Sequence, residues 1–72
     1  MGVVMALYHL FQFRDGELIG KVTRHCASDL AALHAAEKLS QDQAIEVYEA
    51  TRLVARAKQG KKPLSVADQH IG

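Results

Sequence analysis

From Val3 to Phe13 the chain is dense in Val, Leu, Tyr and Phe, and the charged tetrad Arg14-Asp15-Gly16-Glu17 follows. An apolar run bounded by Asp-Gly predicts a strand, a two-residue turn at positive φ, and a returning strand. The predicted hairpin covers 3–24. With no interruption in its register, Phe13 stands against Leu18, Phe11 against Gly20 and His9 against Val22. One face then holds Leu7, His9, Phe11, Phe13, Leu18, Gly20 and Val22, with the Phe11 ring covering the bare Gly20. The other holds Tyr8, Leu10, Gln12, Arg14, Glu17, Ile19, Lys21 and Thr23, too apolar for an ordinary solvent face.

The periodicity then changes. Ser28 is a good N-cap and Asp29 suits the positive end of a helix dipole, so a helix is predicted over 28–41. At 100° per residue, Ala32, Leu33, Ala35, Ala36 and Leu39 share its apolar face, and His34, Glu37, Lys38 and Gln41 share the polar one. Leu30 falls off the stripe and is expected at the helix entrance beside Cys26. A second hairpin follows over 43–58. Its turn has no Gly or Asn, so the apolar pattern sets the register. An odd-length loop centred on Ala50 gathers Ile45, Val47, Leu53, Ala55 and Ala57 on one face and sends Glu46, Tyr48, Arg52, Val54 and Arg56 to the other. Residues 59–72, with two adjacent lysines and the single Pro, are expected as a flexible basic tail with a helical turn near 65–69.

The predicted fold is α+β in the order ββαββ: a four-stranded antiparallel sheet with one helix on one face, forming a single domain over 3–58. Its uncovered face would present Tyr8, Leu10, Ile19, Tyr48 and Val54 as an interaction surface, unless these are scattered side chains that never meet. Two uses compete. Self-association, as a homodimer or other homo-oligomer, would add burial to a chain of only 72 residues. Alternatively a single-stranded nucleic acid would stack on Tyr8 and Tyr48, with Arg52, Arg56, Lys58, Lys61 and Lys62 on its phosphates. Glu17 and Glu46 oppose the second use, and the Gly- and aromatic-rich strand of common RNA-binding sheets is missing.

Charge and cysteine content narrow the rest. The net charge of +1 argues against a dedicated polyanion binder, although 27–50 is acidic and 51–72 is basic. Cys26 is the single cysteine, which excludes an internal disulfide and suits a reducing cytoplasm. The N-terminal apolar run has no preceding Lys or Arg and is too short to span a bilayer, so neither a signal peptide nor a membrane association is expected. His25 and Cys26 are adjacent, and in a strand they point to opposite faces; His9 is expected on the helix side as a structural histidine. No metal, cofactor or catalytic residue is assigned. Cys26 lacks a visible base, the carboxylates form no pair, and Gly16 and Gly20 belong to the hairpin rather than to a phosphate loop.

The segments ALYHLFQFRDGELIG, SDLAALHAAEKL and IEVYEATRLVARA together resemble a group of short alphaproteobacterial proteins of rhizobial type and unknown function. The likeness runs from about Ala6 to Lys58. It implies the same ββαββ order and a bacterial, cytoplasmic origin, and it carries no activity or catalytic residue with it. EAT at the second turn, where that group tends to have Gly, is a departure.

Overall fold

The computed structural model describes residues 5–61 and 63–65. Strands β1 (Ala6–Arg14) and β2 (Glu17–Cys26) form the first hairpin, helix α1 (Asp29–Leu39) follows, and β3 (Ala44–Glu49) and β4 (Arg52–Ala57) form the second. These give the ββαββ fold expected. A two-residue strand, β5 (Leu64–Ser65), lies within the segment expected as a tail and pairs with β4. The sheet is antiparallel throughout in the order β2-β1-β3-β4-β5. Val3 and Val4, expected in the first strand, lie outside the described residues, as does the expected helical turn beyond Ser65.

Each turn is two residues long. Asp15 and Gly16 both have positive φ, 53° and 80°, as the Asp-Gly signal requires. The second loop is Ala50-Thr51 rather than an odd-length one, because Glu49 pairs with Arg52. Ala50 supplies the positive φ, 54°, that a glycine would adopt with less strain. The odd residue sits further along. Val47 pairs with Ala55 and Tyr48 with Leu53, which leaves Val54 as a bulge.

The same device alters the first hairpin. Phe13 pairs with Leu18 but Gln12 pairs with Gly20, so Ile19 is extra and every later pair slips by one. Leu10 therefore faces Val22, and Phe11 faces Lys21 rather than Gly20. The side chain over Gly20 belongs to Gln12, whose Oε1 would lie 2.5 Å from a Cβ placed there.

The core uses the opposite face of β1 from the one expected. Tyr8 and Leu10 are buried with Ile45, Val47, Val54, Ala55 and Ala57 beneath Ala32 and Ala36. Leu7, His9, Phe11 and Phe13 lie on the bare side. The physical reason is the pairing of β1 with β3, which sets Leu10 against Val47 and so commits Leu10 to that residue's face. Ile45, Val47, Ala55 and Ala57 share a face as their pattern predicts, whereas the bulge exchanges Leu53 for Val54.

Helix α1 begins at Ser28, whose Oγ accepts from the Ala31 N–H at 3.2 Å. Its alanines bring it close to the sheet, and Leu33, Ala35 and Leu39 pack around the core. Leu30 does not enter the core beside Cys26; it is 61% exposed. At the other end Ser40 is buried, and its Oγ lies 3.1 Å from the Glu37 carbonyl and 3.0 Å from that of Lys61. The Gly60 N–H donates to the Ser40 carbonyl at 2.7 Å, so the chain leaving β4 is tied to the helix end.

Two stability measurements follow from this arrangement. In urea unfolding Leu10→Ala should cost about 2–5 kcal/mol, as large-to-small changes in a packed core do, whereas Leu30→Ala should stay within about 0.5 kcal/mol. Ala50→Gly should raise stability by about 0.5–1 kcal/mol by removing the left-handed strain, and a fall would show that the turn accommodates Ala without cost.

Candidate functional site

Cross-strand pairing arranges the bare face of the sheet. Phe13 stands between Leu18 and Ala44, Phe11 between Lys21 and Glu46, and His9 between Thr23 and Tyr48. Leu7 faces His25, and Leu53 and Arg56 continue the surface across β4. Leu7 and Leu18 are exposed, and His9, Phe11, Phe13, Tyr48 and Leu53 are half-buried. The Phe11 and Tyr48 rings meet edge to face with centroids 5.6 Å apart, and His9 lies 6.4 Å from Phe11. His9 Nδ1 is also 3.4 Å from Thr23 Oγ1.

Within this face an open groove of about 490 Å³ is lined by His9, Phe11, Glu46, Tyr48, Ala50 and Thr51. The Tyr48 hydroxyl donates to Glu46 Oε1 at 3.3 Å. The negative charge of Glu46, with partial burial, raises the Tyr48 pKa above its ordinary value. Aromatic walls beside a carboxylate favour a cationic or apolar visitor over an anionic one.

A second polar cluster stands on the helix side. The Tyr8 hydroxyl donates to Asp29 Oδ1 at 2.7 Å. Arg52 grips the same carboxylate with both terminal nitrogens, at 3.0 and 3.2 Å, and also bonds Glu49. Those donors hold the Asp29 carboxyl below its usual range, the Arg52 bonds first and the Tyr8 bond second, against an opposing contribution from burial. The Tyr8 phenol is pushed up to about 12, chiefly by its bond to Asp29. Tyr8 is thus a core ring whose polar tip is satisfied at the helix start, a structural role.

The residues expected on the interaction surface separate accordingly. Tyr8, Leu10 and Val54 are core, at 3%, 0% and 3% exposure, and are withdrawn from it. Ile19 is exposed at the bulge, and Tyr48 lies on the bare face as expected. The expected phosphate contacts are not brought together. Arg52 is engaged by two carboxylates on the helix side, Arg56 faces Glu46 on the bare side, and Lys61 lies near the helix C-terminus. Lys58 is exposed just beyond β4, and Lys62 lies outside the described residues. His9 is on the bare face, not on the helix side. Cys26 is buried under the helix while His25 points the other way, opposite Leu7.

The bare-face residues that sequence reasoning placed on the helix side are Leu7, His9, Phe11, Phe13, Leu18 and Leu53. The usable signal was in β3: once Ile45 and Val47 are core, any strand beside β3 must align its own apolar set to them. Among the described residues no three His, Cys, Asp or Glu side chains converge as metal ligands do, and no helix is long and apolar enough to cross a membrane. No family model matches the chain, and no curated protein or solved structure does so either.

The depressed Asp29 carboxyl sets an expectation for acid. Its stabilising contribution is complete above the unfolded carboxylate value of about 4 and is lost as pH falls through the lower folded value. Urea midpoints measured from pH 7 to pH 3 should therefore fall more steeply for the wild type than for Asp29→Asn, which should already be less stable at pH 7. Parallel curves would mean that Asp29 titrates alike in both states.

Proposed function

We propose that this chain is a non-catalytic, self-associating interaction or regulatory module whose contact surface is the bare face of the sheet. The observation that carries the reading is the run Leu7, His9, Phe11 and Phe13 beside Tyr48 and Leu53, opposite the helix and with no second layer over it among the described residues. A contiguous apolar surface of this kind on a small domain marks a contact site. A short chain whose largest fully buried side chains are Leu10, Ile45, Val47 and Ser40 also gains most from a partner's burial. The mixed charges around the aromatics, Lys21, Glu46 and Arg56, suit a protein surface rather than a polyphosphate. A homodimer in a bacterial cytoplasm, the setting implied by the sequence resemblance, belongs to the same proposal.

Single-stranded nucleic acid is the second reading, favoured by the half-buried Phe11 and Tyr48 rings on the bare face with Lys21 and Arg56 to either side. Glu46 between them weakens it.

Light scattering over a dilution series should give the mass of a dimer. Phe11→Lys should weaken association by about 30-fold or more, as the loss of a central aromatic contact does, with the circular dichroism spectrum unchanged. A wild-type monomer at all concentrations would overturn the reading. A salt-sensitive shift of that monomer on a short single strand would transfer the surface to nucleic acid.

A further inference from the structure

The register of the sheet makes the bare face a set of rows, and one row is charged. It runs Lys21 on β2, Phe11 on β1, Glu46 on β3 and Arg56 on β4: positive, aromatic, negative, positive. Among the described residues the ion pairs are those of Arg52, so this row carries its charges unpaired within the chain.

In a two-fold dimer the same surface meets itself, so the row must satisfy its own charges under rotation. With the axis between β1 and β3, Lys21 would face the partner's Arg56. With the axis along β3, Glu46 would face the partner's Glu46. An axis across the strands and through the row would set each charge on its own copy, and one displaced from the row would pair no opposite charges. Two axes pair opposite charges twice: one along β1, which brings Lys21 of each copy over the partner's Glu46, and one between β3 and β4, which brings Glu46 of each copy over the partner's Arg56.

Hydrophobicity decides between them in favour of β1. β1 carries the most apolar stripe of the face, Leu7, His9, Phe11 and Phe13, and this axis places it at the centre with Arg56 at the rim. An apolar centre with a polar rim is the usual anatomy of a stable interface. Lys21 and Glu46 each lie one strand, about 5 Å, from the axis, so the usual angle of about 30° between packed sheets moves them little.

We infer that two copies associate face to face about an axis along β1, and that Lys21 of each copy enters the aromatic groove of the other. Its stem lies against the rings of Phe11 and Tyr48, and its ammonium meets the carboxylate of Glu46. The inference rests on the proposed self-association and adds its register.

The test is a charge exchange, read as the dimer dissociation constant by sedimentation at low salt. Lys21→Glu and Glu46→Lys should each weaken the dimer by about tenfold, since each removes two pairs and creates two repulsions. The double variant Lys21→Glu/Glu46→Lys should return to near the wild-type value. Circular dichroism of each variant excludes unfolding, and recovery in the double variant supplies the same control. A wild-type dimer whose double variant is no tighter than the singles overturns this register while leaving self-association standing. A monomeric wild type overturns both.

Discussion

Everything in this molecule follows from β1 lying between β2 and β3. That placement sets Leu10 against Val22 on one side and Val47 on the other, and it makes one face of a central strand core in a single step. Strand faces alternate strictly, so committing Leu10 inward commits Phe11 outward. The alanine-rich helix accommodates this choice. Ala32 and Ala36 let the backbone approach closely, and the modest side chains Leu10, Ile45 and Val47 fill the narrow layer. The large rings of Phe11 and Phe13 are left for the opposite face.

Tyr8 is the exception that the helix start resolves. A buried tyrosine needs a partner for its hydroxyl, and Asp29, one residue inside the N-cap, supplies it. Arg52 then neutralises the carboxylate and links the second hairpin to the helix. One short network therefore joins β1, α1 and β4 at a single corner, and it removes from the bare face the arginine that composition alone would offer to a phosphate.

Much of the architecture was legible in the residues, and the errors share a cause. Asp15-Gly16 announced the first turn, Ser28 the helix start, and Ile45 with Val47 the core face of β3. What the pattern did not contain was the pair of single-residue bulges at Ile19 and Val54. Val54 has no glycine beside it, and Gly20 beside Ile19 reads as a partner of Phe11 and not as the bulge signal that a glycine inside a strand gives. Each bulge reverses the side-chain parity of one strand relative to its neighbour. With Leu7, Phe11 and Phe13 alternating against Tyr8 and Leu10, both faces of β1 are apolar enough to serve as core. Hydrophobicity alone leaves the choice open, and strand order, a non-local property, decides it. The bare apolar surface was thus anticipated as a property of the sheet, but its membership was exchanged: of five named residues, Tyr48 is the one that lies in its cross-strand rows.

The tie between Ser40 and the segment at Gly60 and Lys61 reaches further than the helix end it caps. By turning the chain back after β4, it delivers Leu64–Ser65 alongside Ala55 and Arg56 and interrupts that margin of the sheet. At the other margin β2 is the outermost strand among the described residues, ten residues long and broken by the bulge at Ile19. Both margins are therefore interrupted, one by a short added strand and the other by a bulge, and these are two of the devices by which a sheet edge is kept from templating further strands.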